Sequence, residues 1–403
     1  MAGAVSGKSL SRVALVLQRP LDERDYKRFG IAAFLNRGIQ VSVLDPADII
    51  HPGIPFERSQ YANHRDIEIE VVQSRRQTRA SVAFLKRADL ILNLCQGGLV
   101  TTTNLPVLRA ISASGVPSLV NLGNMYPGHD RDAVRSTVCG RVRDTHKRRR
   151  EIRLGTSFVS RLPPAWLGVA NATFAVRGGT SVPGSRFVTA KTRIIDAHAM
   201  DYDIYMDIIQ AGVTQRDIAV FVDEFVPYHS DTAMMGYDKI VEADGYYAGL
   251  RSAFAKIEEE LGLTVVIAAC PRAHYETLPD VFGGRDVVKG HTGTLIAQSR
   301  LVLGHRSTAL AFAIMFNRPI LQLATEDNYR HPAQQPYFDA YAQALGKPIK
   351  FHDNLAALDL SDAFQIDADN YAAFMAAYVK IPGSPERKYW NVVLDAVESA
   401  FTS

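Results

Sequence analysis

The sequence predicts an α/β chain of two Rossmann-like domains in succession, facing across a cleft. Three observations lead there. Apolar runs of strand length alternate with helix-length stretches along most of the 403 residues. The rhythm breaks at a polar stretch and restarts near Ile218. Nearly every expected strand ends in polar or glycine residues, the end at which open α/β sheets bind ligands.

Arg12 to Leu17 (RVALVL) is the first buried strand, followed by a polar stretch that carries Arg19, Asp25 and Arg28. Phe29 to Leu35 reads as a helix closed by Gly38. Ile39 to Leu44 is the second strand. This βαβ opening lacks G-x-G-x-x-G, so the dinucleotide fingerprint is absent. Leu90 to Leu94 is a strand ending in Cys95-Gln96-Gly97-Gly98, where paired glycines let backbone approach a ligand. Asn104 to Ala113 is helical, Ser118 to Asn121 a strand, and Phe174 to Val176 a strand ahead of Arg177-Gly178-Gly179. Arg193 to Ile195 is the last strand of the half. The run Asp196 to Asp203 (DAHAMDYD), with Asp201 and Asp203, suits a polar turn or a cleft edge.

In the second half, Ile218 to Val222 is a strand ending in Asp223-Glu224. Gly245 to Glu260 is an amphipathic helix closed by Gly262, and Thr264 to Ala269 a strand ending in Cys270-Pro271-Arg272. Val287-Val288 leads to Lys289-Gly290-His291-Thr292. Leu301 to Leu303 is a buried strand, Gly304-His305-Arg306 a break, and Ala309 to Phe316 a buried helix. Ser307 is expected as its N-cap, the hydroxyl accepting from an N–H two or three residues on. Such a helix start can seat a phosphate, with His305, Arg306, Ser307 and Thr308 around it; an ordinary βαβ turn with a capping serine is the alternative. Ile320 to Leu323 is the next strand, and Arg387 to Phe401 a terminal amphipathic helix. The domain boundary is expected near Asp203 to Arg216.

Composition is that of a globular protein: 47% hydrophobic, 22% charged, net charge +3. Arg141 to Arg153 holds seven Arg or Lys against two acids. It could meet an anionic polymer or a phospholipid surface, or be a solvated face. No reader module or aromatic platform accompanies it, so nucleic acid is not expected as a partner. Three cysteines without paired spacing point to a reducing compartment. No run reaches signal-peptide or transmembrane length, so a cytoplasmic chain is expected, peripheral on the inner membrane face if it meets lipid.

Asp223 and Glu224 follow a buried strand, and adjacent residues on extended backbone point opposite ways. One can face a cleft as a general base while the other packs. Arg272 could grip a carboxylate or phosphate in bidentate fashion. His291, His305, Ser307 and Thr308 come from neighbouring strand ends. None of these groups has metal-ligand spacing.

With these residues assembled, the C-terminal half resembles the GT-B glycosyltransferases of bacterial surface-polysaccharide synthesis. It is most similar to those using CMP-activated acidic sugars: sialyltransferases, polysialyltransferases and Kdo transferases. Those families share an acidic D/E-D/E-G motif, an HP motif and a downstream Ser/Thr pair. Here these are Asp223-Glu224 with Phe225 in place of Gly, Cys270-Pro271, and Ser307-Thr308. The resemblance is strongest over Ile218 to Thr325. It implies an N-terminal acceptor domain (1–205), a C-terminal nucleotide-sugar domain (206–385) and a terminal helix (386–403) crossing back. It implies an inverting, metal-independent enzyme without a cofactor, transferring a sugar from a nucleotide donor, CMP-linked, to a glycan or lipid-linked acceptor. UDP-, GDP- or CDP-linked donors are the alternative, and a non-catalytic glycan-binding protein a third.

The implied catalytic residues are Glu224, Asp223 and Asp25, with Asp201 a rival because GT-B bases often lie on the N-terminal domain. The motif histidine binds the donor phosphate or assists the departing CMP, and a neutral thiol cannot. Arg272, His274 or His305 would then act, together with His291, Thr292, Ser307 and Thr308. Sugar and acceptor contacts fall to Arg19, Arg28, Gly97, Gly98, Asp201 and Asp203.

Overall fold

The computed structural model describes residues 9–58, 64–95, 100–122, 126–128, 158–181, 185–229, 232, 239–332 and 334–402. The first sheet holds β1 (Arg12–Val16), β2 (Gln40–Asp45), β3 (Ile67–Val71), β4 (Leu90–Asn93), β5 (Ser118–Asn121), β6 (Phe174–Arg177) and β7 (Arg193–Asp196). Their order is β3-β2-β1-β4-β5-β6-β7, and every pair is parallel. The second holds β8 (Ile218–Val222), β9 (Thr264–Ala269), β10 (Val287–Lys289), β11 (Leu301–Gly304), β12 (Ile320–Ala324) and β13 (Lys350–Phe351). Their order is β10-β9-β8-β11-β12-β13, again all parallel.

Parallel strands joined by crossover helices are buried on both faces and read as unbroken apolar runs. β1 and β8 fit: RVALV is buried from its second residue and IAVFV throughout. Each sheet reverses its strand order once, between β1 and β4 in the first and between β8 and β11 in the second. At such a switch point flanking loops diverge and leave a crevice at the strands' carboxyl ends.

The terminal helix, Tyr389–Thr402, shares one core with the first sheet. Tyr389, Trp390, Val393, Leu394, Val397 and Phe401 pack with Val13, Leu15, Phe34, Leu92 and Phe174. Asp203 sits at its start, its carboxylate accepting from the Tyr389 N–H at 2.8 Å. Asp203 is therefore a helix cap, and its expected role in sugar binding is corrected to a structural one. A second junction joins the loop after β6 to the turn Met375–Val379. Thr180 and Ser181 N–H donate to the Ala376 and Ala377 carbonyls, both at 2.9 Å. Gly179 is required there, since a Cβ would lie 2.1 Å from the Ala377 oxygen.

Two expectations change. The polar stretch after β1 is helical over Glu23–Arg28, with the Asp22 side chain accepting from the Asp25 N–H at 2.7 Å. Gly30 (φ +68°) then turns the chain into the next helix, Ile31–Asn36. The run from Asp196 also enters a helix, Asp201–Ala211.

Candidate functional site

The switch point of the second sheet brings the loops after β8 and β11 together. Asp223 is sealed there: one carboxylate oxygen accepts from the Phe225 N–H (2.8 Å), the other from the Cys270 N–H (3.2 Å). It ties the ends of β8 and β9 and presents no oxygen to the cleft, which corrects its expected catalytic role to positioning. Phe225 follows at φ +52°, a conformation that glycine adopts without strain. The position where glycine was expected thus keeps glycine's backbone geometry with a phenylalanine. Glu224 points the other way, and its carboxylate accepts from the Arg306 N–H at 2.7 Å. The Arg306 guanidinium lies 4.0 Å from the second oxygen. Glu224 therefore braces the loop after β11.

Burial pushes the Asp223 carboxyl up to about 6, against an ordinary value of 3.8, despite bonds that pull it down. A folded-state value above the unfolded one favours the fold when protonated. That stability is fully present below about 3.8 and lost as pH rises through about 6. Relative to the Asp223→Asn variant, the wild type should gain about 2 kcal/mol of unfolding free energy between about pH 7.5 and about pH 4.5. Urea titrations of both proteins at the two pH values measure it.

His305 is fully buried. Its Nδ1 is 2.6 Å from the Leu323 carbonyl and its Nε2 2.7 Å from the Tyr246 hydroxyl. Burial holds the ring below its usual value, so it stays neutral. With both nitrogens engaged in the core it cannot reach a donor phosphate, and that expectation is corrected. In the bend just past β11, His305 turns inward and Arg306 turns toward the gap, over Tyr337. Ser307 is half-buried and Thr308 exposed. The Ser307 hydroxyl accepts from the Ala309 N–H at 3.2 Å, two residues on, and the Tyr341 hydroxyl donates to the Ser307 carbonyl at 2.9 Å. The helix proper is Leu310–Met315 with Ala309 at its cap position, so Ser307 opens the preceding turn. The N–H groups of residues 310 to 312 are spent on the carbonyls of Ser307, Thr308 and Ala309. The candidate phosphate seat thereby narrows to Ser307-Thr308 with Arg306 beside it.

The first domain closes over this loop. Tyr126, beyond β5, lies with its ring centroid 5.6 Å from Tyr337 and 6.3 Å from Tyr341. Both belong to the helix Gln335–Leu345. The Arg306 guanidinium sits 5.5 Å from the Tyr337 centroid. Ser307, whose carbonyl the Tyr341 hydroxyl holds, thus lies beside this contact between the domains.

The helix Glu23–Arg28 forms another part of the wall. Arg28 is 3.7 Å from Asp201. Burial and the neighbouring Asp22 raise the Asp25 carboxyl, and Arg24, Arg272 and Arg28 pull it back. Desolvation, then repulsion from Arg28 and Arg272, lowers the Arg24 guanidinium. Arg272 belongs to the second domain, so these charges meet across the gap. The expected residues Asp25, Arg28, Asp201 and Arg272 are brought together. Arg24 is an addition; its signal in the sequence is the four-residue spacing from Arg28 behind the cap Asp22.

Other expected residues stand apart. His274 is exposed, and its Nδ1 lies 3.3 Å from Glu276. His291 is exposed and Thr292 half-buried, at the start of the helix after edge strand β10. The start of that helix packs on the helix that follows Ser307-Thr308: a Cβ on Gly293 would lie 3.3 Å from Phe312. Arg19 is half-buried just after β1. Gly97, Gly98 and the basic run 141–153 lie outside the described residues.

No family model and no curated protein sequence matches the chain. Among solved structures it is similar to the wall teichoic acid polymerase TagF (H444N variant), with a TM-score of 0.51 at 10% identity, covering 100% of this chain and 91% of that one. It is also similar to LpCGTa in complex with UDP, with a TM-score of 0.51 at 12% identity, covering 98% of this chain and 100% of that one. At such identities the likeness is one of fold. The two parallel sheets, the opposed switch points and the returning terminal helix make this chain a GT-B fold of two Rossmann-like domains.

Proposed function

We propose that the chain is a glycosyltransferase of surface-glycan synthesis, moving a sugar from a nucleotide donor to an acceptor hydroxyl in the interdomain gap. The observation that carries this reading is the meeting of Asp25 with Arg24, Arg28 and Arg272 from opposite domains. An acid with a raised pKa, held among guanidinium groups in a gap, can take a proton while neighbouring charges receive an anion. Asp25 accepts the acceptor's hydroxyl proton. The freed oxygen bonds to the anomeric carbon as the bond to the nucleotide phosphate breaks on the opposite face, so the configuration inverts. Arg272, with Ser307 and Thr308, receives the charge developing on that phosphate. No bridging metal enters this reading.

The donor we propose is a CMP-linked acidic sugar, whose carboxylate would meet Arg24 or Arg28. A UDP-linked donor is the second reading, favoured by the UDP bound in LpCGTa. A ligand that binds only the folded state stabilises it by about 2.7 kcal/mol at a hundredfold excess over its Kd. Melting temperatures with CMP, UDP, GDP and CDP at matched concentrations separate the readings. The largest rise is expected with CMP, and a largest rise with another nucleotide assigns that donor class instead. No rise with any of them, and no transfer or hydrolysis of their sugars, would replace the enzyme by a glycan-binding protein.

A further inference from the structure

The segment leading into β6 carries the most exposed aromatic side chain of the described residues. Trp166 is 79% exposed and Phe158 66%. The backbone beneath them is firmly held. Val159, Leu162, Leu167 and Val169 pack on the second core of the first domain. Arg109 Nε donates to the Leu167 carbonyl at 2.7 Å, and the Ala170 N–H to the Ser112 hydroxyl at 2.8 Å. The indole is thus displayed by a short helical turn, Pro164–Leu167, whose last residue is buried. A rigid mount with a large apolar side chain facing water marks a contact site.

Charge points the same way. From residue 158 to residue 195 the sequence has five Arg or Lys and no Asp or Glu; Arg177, at the carboxyl end of β6, pairs with Asp196 and lies outside the patch, which leaves four. Arg161, Lys191 and Arg193 among them are exposed, and Arg186 donates to the Arg161 carbonyl at 3.1 Å. Ile194 on edge strand β7 is 42% exposed beside Arg193. The Arg193 N–H donates to the Thr173 carbonyl at 2.9 Å, which brings this edge to the end of the Trp166 segment. Thr173 in turn donates to the carbonyl of Ser118, the first residue of β5. The patch therefore lies by the strands' amino ends, opposite the gap.

We propose that this patch docks the first domain onto an anionic lipid surface, with Trp166 and Phe158 entering the headgroup region and the basic side chains meeting lipid phosphates. Exposed aromatics beside arginine and lysine are the composition that such an interface rewards. An aliphatic residue such as Ile194 gains from hydrocarbon and has no ring to stack on a nucleic-acid base. No helix among the described residues is long and apolar enough to cross a bilayer; the contact proposed is with its surface.

The chain has two tryptophans, and the other, Trp390, is buried with its Nε1–H donated to the Arg28 carbonyl. Trp166 emission therefore reports the contact over a constant background. The full chain is mixed with vesicles of phosphatidylcholine, with or without about one-third phosphatidylglycerol. Co-sedimentation and a blue shift are expected with the anionic vesicles, weakening as salt rises. The double change Trp166→Ala and Phe158→Ala should lower the partition coefficient by about tenfold or more. Arg161→Glu with Arg193→Glu should remove the preference for anionic vesicles. Trp166→Phe should keep the binding and lose the blue shift, which separates loss of contact from loss of fold. No sedimentation with either vesicle, or binding unchanged in both double variants, overturns the proposal. So does sedimentation with no change in Trp166 emission.

Discussion

Replacing Asp25 by Asn is expected to lower kcat by about a hundredfold to ten-thousandfold while nucleotide binding is kept. The substitution preserves volume, and the helix Glu23–Arg28 keeps its cap because Asp22, not Asp25, accepts the capping bond. Only the proton acceptor is lost. Burial and Asp22 raise the Asp25 carboxyl above its ordinary value, so the base becomes active at a higher pH than a free aspartate would. The activity of the wild type should fall on the acid side as Asp25 takes up its proton, and the Asp25→Asn variant should lack that limb. Glu224→Gln is the control: the amide oxygen can still accept from the Arg306 N–H, so an effect within about tenfold is expected. Steady-state kinetics on both variants decides between them. A lost Glu224→Gln beside an intact Asp25→Asn would move the base to the second domain.

Trp390→Ala is expected to cost about 3–5 kcal/mol of unfolding free energy. The indole is buried against Phe34, with centroids 5.3 Å apart, and donates to the Arg28 carbonyl at 2.8 Å. It also fills the space above Gly30, where a Cβ would sit 2.2 Å from the ring. Truncation leaves a cavity and an unpaired carbonyl at the end of the helix that carries Asp25. Activity should therefore fall beyond what the loss of folded protein explains. Urea midpoints combined with kcat per folded molecule measure both effects. A cost below about 1 kcal/mol would mean that the terminal helix does not hold the first domain together.

The strands with unbroken apolar runs, β1, β8, β9, β11 and β12, were legible because burial on both faces writes itself into residue type. β3 was not, since Ile67–Val71 alternates with glutamates at a sheet edge. The helix Glu23–Arg28 buries no residue, so no apolar stripe announces it, and Arg24 was missed with it. The strand-end positions of the site could be read from sequence. The direction of each side chain could not: a one-residue change in phase exchanges His305 and Arg306, or Asp223 and Glu224, between core and gap. Phe225 hides its left-handed backbone for a related reason, since a phenylalanine does not advertise a conformation that glycine would.

The most direct measurement is a crystal structure with the nucleotide that raises the melting temperature most. Its sugar-linked phosphate is expected against Ser307-Thr308 and Arg272, with Asp25 facing the open side. An ordered nucleotide whose phosphate lies elsewhere, with those residues untouched, would contradict that placement.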